Sequence, residues 1–486
     1  MAIDLLSALA RYQPYLSPAD FKRLLNESAE SAATAVRVNH LKVADAISAL
    51  NQWQARYGWE TQPVPFAPDA LQIRAAQTSP SQTHEHRFGY YYLQDAASLL
   101  PVSLFSPERQ GHLMLDMAAS PGGKTTQMVD SMRDRGFVMA NDSSASRLAA
   151  LRTVLQLWGA TNTVVTNYAG EKLGDWFPGV FDQVLLDAPC SMESLRQSAS
   201  HPHRPITSDE RARLASRQLA LLLSAVRAAK IGGEVVYSTC TLAPEEDEQV
   251  LDGLLKACPD AVAIAPPPAE LVQAQGLISF EGQNFDPQVA NSIRVWPFTF
   301  GTNGFFAAKI IKLKDLPSSE SQPPHRDFSA TGFVKMSPSR LADVYQLAAE
   351  TYGFDFARTC ADLGLDVFQR DTTLFLLPSM YLAHFSSLPY HALGMPLGKL
   401  IKNTVEFSVD FVSRFHGAFT RNTWTLPESL TGQWLSGADI RSLEIPGARP
   451  GTVIAINDSN GVNLGAGKLN PGRLRNLLPN RNVRAW

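Results

Sequence analysis

Two stretches of this sequence end in residues that carry chemistry. Val184-Leu185-Leu186-Asp187-Ala188-Pro189-Cys190 is an apolar run closing on an acid, a proline and a cysteine. Further on, Glu234-Val235-Val236-Tyr237-Ser238-Thr239-Cys240 is a second run that closes on a cysteine. Continuous apolar segments of this kind read as buried parallel strands, and open α/β sheets hold their ligands at the carboxyl ends of such strands. The chain has only four cysteines, and two of them end adjacent-looking strands. Cys258 and Cys360 have no such context and read as buried small hydrophobes.

A third stretch, Leu115-Asp116-Met117-Ala118-Ala119-Ser120-Pro121-Gly122-Gly123-Lys124-Thr125, lies between an expected strand and an expected helix. Gly123-Lys124-Thr125 imitates the end of a P-loop, but Ala118 stands where that motif needs its first glycine. The G-x-G-x-x-G fingerprint is absent as well. What remains is a tight loop of small residues over which a ligand can lie against backbone. Asp142 ends the next strand, twenty residues beyond Gly122, where an acid takes a ribose hydroxyl pair. Together these features indicate a nucleoside-containing cofactor.

The elements that must position these residues follow from alternation. From Leu113 to about Lys314 strands and helices alternate, which predicts a doubly wound, Rossmann-like α/β unit. Strands are expected at Leu113–Asp116, Phe137–Ala140, Thr163–Val165 and Gly304–Ile310, with helices over Ser146–Trp158 and Ser208–Lys230. The second helix is expected to stop at Gly232-Gly233. Upstream, residues 1 to about 30 read as helical through Leu5, Leu6, Leu9 and a start at Ser17-Pro18-Ala19-Asp20. Thr34–Leu41 reads as a strand, Val43–Tyr57 as a helix, Ala75–Arg87 as a loop, and Gly89–Asp95 as an aromatic strand feeding a helix over Ala96–Leu100. Downstream, Lys314–Gly332 reads as a linker, Leu374–Pro378 and Val405–Phe415 as β-rich. The last segment reads as a small barrel with turns at Pro446-Gly447, Pro450-Gly451 and Asn460-Gly461. The expected division is 1–105, 106–314, a linker at 315–332, a middle α/β region at 333–425 and a β-rich module at 426–486.

Composition bounds the rest. The chain has 486 residues, 45% of them hydrophobic, and a net charge of −3. A nucleic-acid surface must therefore be local rather than global. No apolar run reaches the length of a membrane span and no signal peptide is read at the N-terminus, so a reducing, cytoplasmic setting and a monomer are expected, with no membrane partner and no metal. The final stretch carries Lys468, Arg473, Arg475, Arg481 and Arg484 without an acid. That concentration of cations favours an RNA-phosphate surface.

The set Asp116-x-Ala-Ala-x-Pro-Gly-Gly-Lys-Thr, Asn141-Asp142-x4-Arg147, Asp187-Ala-Pro-Cys190-Ser and Tyr237-Ser-Thr-Cys240-Thr resembles the RNA cytosine-C5 methyltransferases. Arg37-Val-Asn39 and Gln94-Asp-Ala-Ala-Ser98 are similar to that family's N-terminal motifs, which belong to an RNA-recognition-like α+β domain. Gly465-x-Gly-Lys468 with Arg473-Leu-Arg-Asn476-x-x-Pro479 resembles a PUA-like C-terminal module of its members that act on the small ribosomal subunit. The resemblance implies S-adenosylmethionine as cofactor, held by Ala118, Ala119, Ser120, Pro121, Gly122, Gly123, Lys124, Asp142, Arg147 and Asp187. It implies Cys240 as the nucleophile toward cytosine C6, Asp187 at the base's N3 and amino edge, Cys190 in product release, and Lys124 within the catalytic set. Lys468, Arg473 and Arg475 would meet RNA, most simply 16S rRNA. Transfer RNA or 23S rRNA is the alternative substrate, and an RNA-binding ribosome-assembly factor with weak catalysis is the alternative class. Two departures bear on that alternative: Met192-Glu193-Ser194 replaces Gly-Glu-Gly, and Ala169 stands where the family has an aspartate for adenine, with Asn167 or Glu171 as substitutes.

Overall fold

The alternation of strand and helix closes into one sheet of nine strands. The computed structural model describes residues 9–27, 33–107, 111–193, 206–319, 321–402, 404–441, 445 and 448–483. Across the sheet the order is Val262–Ile264, Phe305–Lys312, Ala229–Thr239, Phe181–Asp187, Leu113–Asp116, Phe137–Asn141, Thr163–Thr166 and Ala392–Leu393, with Ile293–Val295 also paired to Phe305–Lys312. Strands from Ala229–Thr239 through Thr163–Thr166 run parallel, and those outside them run antiparallel. Helices cover both faces, so Met114, Leu115, Val138, Met139, Val184 and Val236 are all buried. The chain enters at Leu113–Asp116, steps out to Thr163–Thr166, and returns to Phe181–Asp187 on the other side. Strand order reverses between Leu113–Asp116 and Phe181–Asp187, and ligands of such sheets bind in the crevice at that point.

Among the described residues three larger sheets accompany this unit, besides a two-stranded hairpin of Ser279–Phe280 with Gln283–Asn284. A four-stranded antiparallel sheet near the N-terminus has the order Trp59–Val64, Ala67–Ala76, Thr34–Val38, Tyr91–Asp95. Helix Ala46–Tyr57 packs beside it, capped by the Asp45 side chain and closed by Gly58 at φ +60°. The second sheet runs Val334–Lys335, Leu365–Arg370, Thr373–Pro378, Met395–Ile401, Thr404–Phe407. The third runs Thr423–Thr425, Val453–Asn457, Asn463–Asn470, Arg473–Asn476, Ile440–Arg441. Its first strand precedes residue 426. Ala392–Leu393, between strands of the second sheet, pairs antiparallel with Thr163–Thr166, which gives an otherwise open sheet edge its hydrogen-bond partners.

The structure corrects several expectations. Ala75–Arg87 is not a plain loop: strand Ala67–Ala76 ends in it, and Pro80–Gln82 and His84–Arg87 form short helical turns. The long helix spans Ser208–Ala228 and ends without a glycine; Ala229 is already extended. Gly232, at φ +77°, instead sits inside the next strand, where the pairing register with Phe181–Asp187 slips. Val405–Phe415 is half strand and half helix, because Ser408 caps a helix over Val409–Phe415 by accepting the Phe411 N–H at 3.0 Å. The polar stretch after Lys314 is tied down: Arg227 Nε donates to Pro317 O at 2.8 Å and the Ser319 hydroxyl to Asp175 at 2.7 Å. Near the N-terminus, helix Pro18–Glu27 forms as expected, and Leu9, Tyr12 and Leu24 join the core of the nine-stranded sheet rather than the N-terminal sheet. Leu5, Leu6, the Pro446-Gly447 turn and Arg484 lie outside the described residues. Cys258 and Cys360 are buried, as expected of small hydrophobes.

Behind the second cysteine strand the chain buries a charge cluster. Arg294 has no exposed surface, lies 3.3 Å from Asp247, contacts Glu248, and donates to Leu242 O at 2.8 Å. Both acids are fully buried too. Removing one member of such a set strands the others in a medium that solvates charge poorly. Arg294→Met should therefore destabilise the chain by about 3–5 kcal/mol, read as a fall in the urea midpoint at unchanged slope.

Candidate active site

The site begins with the loop after Leu113–Asp116. Gly122 caps helix Gly123–Ser131 at φ +115°, a conformation that side chains rarely adopt. At Gly123 an added Cβ would come within 2.9 Å of the Tyr92 ring. Asp116, buried at the strand's end, accepts the Thr125 hydroxyl at 2.7 Å and so ties loop to helix. Burial, with Asp187 nearby and Thr125 opposing, pushes the Asp116 carboxyl up to about 7. From the N-terminal sheet, fully buried Arg37 reaches under the same helix. It donates to Gly123 O at 3.1 Å and to Thr126 Oγ1 at 2.7 Å, against the Trp158 ring at 4.5 Å.

The helix start aims Lys124 at the next strand. Lys124 Nζ donates to Asp187 Oδ2 at 2.8 Å. Burial works against the ammonium charge, yet Asp187 more than offsets it and the Lys124 pKa is raised. The other oxygen, Asp187 Oδ1, accepts the Ser238 hydroxyl at 2.8 Å. That contact follows from register, since Asp187 pairs with Ser238 across the two parallel strands. The chains then turn, and the two cysteines meet: Cys190 Sγ and Cys240 Sγ are 3.2 Å apart as free thiols, both partly buried. The hydrogen bond with Cys240, then burial, raises the Cys190 thiol well above the ordinary range. The contact with Cys240 thus disfavours the thiolate form of Cys190.

A cavity of about 270 Å³ opens beside this set. Asp116, Ala118, Ala119, Ser120, Pro121, Gly123, Lys124 and Asp187 line one side, and Tyr92, Gln94 and Ser98 of the N-terminal sheet region line the other. Gly122, Asp142 and Arg147 are not in the lining. Asp142 is buried beneath the loop, accepting the N–H of Ser120 at 3.1 Å and of Ser144 at 2.8 Å. Arg147 donates to Ser120 O at 2.5 Å. Asn167 is spent on the Asp142 carbonyl at 2.6 Å, and Glu171 is paired with Arg217 at 3.0 Å. Ala169 leads into helix Gly170–Trp176.

The family model described as 16S rRNA methyltransferase RsmB/F matches residues 102–311. A second, described as the N-terminal domain of 16S rRNA methyltransferase RsmF, matches residues 8–96. Ribosomal RNA small subunit methyltransferase F of Erwinia tasmaniensis is 32% identical over 435 residues, 88% of this chain and 87% of that protein. Its namesake in Vibrio cholerae is 31% identical over 452 residues, 92% and 91% of the two. This chain belongs to the RsmB/F methyltransferase family. Among solved structures, a methyltransferase homologue from Pyrococcus horikoshii superposes with a TM-score of 0.57 at 29% identity, covering 64% of this chain and 99% of that one.

Methyltransferases of this family use S-adenosylmethionine, and the cavity fits that cofactor. Its inner wall is the loop over residues 118–123, where small side chains let a ligand meet backbone, flanked by Asp116, Lys124 and Asp187. Its outer wall holds Gln94 Oε1, a buried acceptor without a hydrogen-bond partner, while Gln94 Nε2 is committed to Ser98 at 2.8 Å. The cofactor's ammonium and ribose hydroxyls are donors of the kind such an acceptor needs. The RsmB/F motif departure is also placed: Met192 has φ +58°, and Glu193 pairs with Arg211 at 2.6 Å, whereas Ser194 lies outside the described residues.

The cations expected to meet RNA are distributed unevenly. Lys468 is paired with Glu406, Arg473 with Asp439 at 3.4 Å, and Arg481 with Asp410 at 2.7 Å. Arg475 is exposed and stands opposite Lys468 on the neighbouring strand. The acids come from elsewhere in the chain, which a count of the tail alone does not reveal. Sequence reasoning also passed over Ser238, Arg37 and Gln94 as site residues, although each stands inside a motif it had read: Ser238 two residues before Cys240, Arg37 in Arg37-Val-Asn39 and Gln94 in Gln94-Asp-Ala-Ala-Ser98.

Asp142 makes a direct prediction. Without it the Ser120 and Ser144 N–H groups lose their acceptor and the loop that lines the cavity loses its brace. Asp142→Ala should weaken S-adenosylmethionine binding by about 1.5–3 kcal/mol, the range for a hydrogen bond to a charged group. Calorimetry on the full chain reads this, and unchanged affinity would show that the loop keeps its shape without the Asp142 brace.

Proposed function

We propose that this chain methylates C5 of a cytosine in 16S rRNA through a covalent bond between Cys240 and C6 of the base. The observation that carries the reading is the approach of Cys190 to Cys240 on the two strands whose ends also place Asp187, with Lys124 and Asp187 lining a cavity of about 270 Å³. The names of the family model and of the relatives support the choice of RNA.

Ala118, Ala119, Ser120, Pro121, Gly122, Gly123 and Lys124 would hold S-adenosylmethionine, with Asp142 and Arg147 bracing that loop from behind. When bound, the cofactor supplies an electrophilic methyl group on its sulfonium. Cytosine C5 is too weak a nucleophile to take it unaided. Addition of the Cys240 thiolate to C6 makes C5 enamine-like and nucleophilic. Asp187, held by Lys124 and Ser238, accepts the base's amino N–H, and a proton shared between its carboxyl and N3 passes to N3 to offset the negative charge that the thiolate brings during addition. Once the Cys240 sulfur is bonded to C6, the contact that chiefly raises Cys190 is gone. Its thiol then becomes easier to ionise, at the stage when a base must remove the C5 proton so that Cys240 can leave. A paired target base must first be turned out of its helix, at a few kcal/mol. Residues 426–486, with Lys468, Arg473 and Arg475, are assigned to holding RNA phosphates, and the chain is taken to act as a monomer in the cytoplasm.

Two measurements test this reading. Cys240→Ser should abolish methylation and form no adduct, whereas Cys190→Ala should accumulate a denaturant-stable protein–RNA species. Trapping by the Cys240 variant instead would reverse the assignment. Replacing Arg473 and Arg475 by alanine together should weaken RNA binding about equally across sequences and lower the salt slope by about one unit per lost contact. A double variant with unchanged affinity and slope would remove the tail from the RNA surface.

A further inference from the structure

Both loops that end in a cysteine are fastened to one buried carboxylate. Glu246 has no exposed surface. Its Oε2 accepts the Ser191 backbone N–H at 2.9 Å and the Gln218 amide N–H at 2.9 Å. Gln218 Nε2 donates in addition to Pro189 O at 2.8 Å. Pro189 and Ser191 flank Cys190, so both of its neighbours are tied to the same group, one directly and one through Gln218. Glu246 itself belongs to the segment after Cys240, and its backbone carbonyl accepts the Tyr237 hydroxyl. A second tie crosses the gap beside it, Ser191 Oγ to Thr241 Oγ1 at 3.0 Å.

The same segment is anchored below. Thr239 Oγ1 donates to Asp247 Oδ1 at 2.6 Å, and Asp247 and Glu248 hold Arg294. Arg294 thus compensates the two acids after Glu246, whereas no cation is paired with Glu246 among the described residues. A buried carboxylate with neutral donors on one oxygen and none on the other, as at Glu246 Oε1, is costly to keep ionised, and burial does push Glu246 upward. Its negative charge also adds to the forces that keep Cys190 protonated.

We propose that Glu246 is a positioning residue that sets the separation of the Cys190 and Cys240 sulfurs by hooking the Pro189–Ser191 turn onto the segment after Cys240. It touches neither base nor cofactor. This deepens the reading of the two cysteines as a pair that makes and resolves an adduct, and rests on it for its purpose. The geometry can be read without the reaction.

Diamide provides that readout in the reduced full-length chain. Its azo group takes one hydrogen from each of two thiols as they join in a disulfide, so closure requires sulfurs within reach. The wild-type pair, followed by peptide mass spectrometry, should close readily, with Cys258 and Cys360 as internal unreacted references. Glu246→Ala should slow closure about tenfold or more, and Glu246→Gln, which keeps an acceptor for both N–H groups, should stay within about threefold of wild type. In methyl transfer, Glu246→Ala should lower kcat, leave the cofactor Kd unchanged and accumulate the protein–RNA species. Wild-type closure in Glu246→Ala, or closure in Glu246→Gln as slow as in Glu246→Ala, would overturn the proposal. If Glu246→Ala fails to bind cofactor and so to fold, Gln218→Met decides: slowed closure supports the hook and wild-type closure removes it. A Cys190→Ala variant that traps nothing would sink the adduct reading and leave the diamide result standing.

Discussion

Everything the site does depends on two parallel strands pairing in register. Phe181–Asp187 and Ala229–Thr239 align so that Asp187 lies opposite Ser238. That alignment sets one carboxylate oxygen on the Ser238 hydroxyl and turns the other toward Lys124. It also brings the two chains to the same height as they leave the sheet, which is why Cys190 and Cys240 can approach to 3.2 Å. A slip by one residue would turn every side chain to the opposite face. The slip that does occur, at Phe181–Gln183 against Ala229–Glu234, lies at the far end of the pair and leaves the catalytic end undisturbed.

Buried charge is the second device. Arg37 and Arg294 are both without exposed surface, and each joins segments distant in sequence. Arg37 wedges the N-terminal sheet under the helix that carries Lys124. Asn39 and Lys42 continue the latch, donating to carbonyls at the end of helix Leu148–Trp158 at 2.9 and 2.8 Å. The N-terminal sheet is therefore part of the cofactor site's framework as well as a wall of its cavity. Arg294 fixes the segment after Cys240 in the same way. For Arg294 a lost partner would leave a buried charge uncompensated, whereas Arg37 is held by a carbonyl, a hydroxyl and the Trp158 ring.

The C-terminal sheet works under a different constraint. Its cations lie near the surface, where pairing with Glu406, Asp439 or Asp410 is weak and screened by salt. Phosphates can compete for such cations in a way they cannot compete for Arg37. Under the proposed function such a surface would orient RNA, and the selection of a base would fall to the cleft that holds Asp187 and the cysteines.

The sequence by itself determined the parallel sheet, the loop of small residues and the identity of the two cysteines and Asp187. Those are short-range properties: apolar runs, turn residues and strand ends, each read within a few positions. Secondary structure was less legible where tertiary context competes with local preference. Ser408 starts a helix inside a β-like run, Gly232 serves a strand bulge rather than a helix end, and the hairpin of Trp59–Val64 with Ala67–Ala76 has too little alternation to announce itself. Only the tertiary structure decided that Asp142 braces the loop from beneath, that the tail's cations meet acids from other segments, and that Glu246 ties both cysteine loops. Each of these depends on which backbone N–H or charge is left near a given carboxylate after folding. Partners separated by tens to hundreds of residues leave no mark of their meeting in the order of the chain.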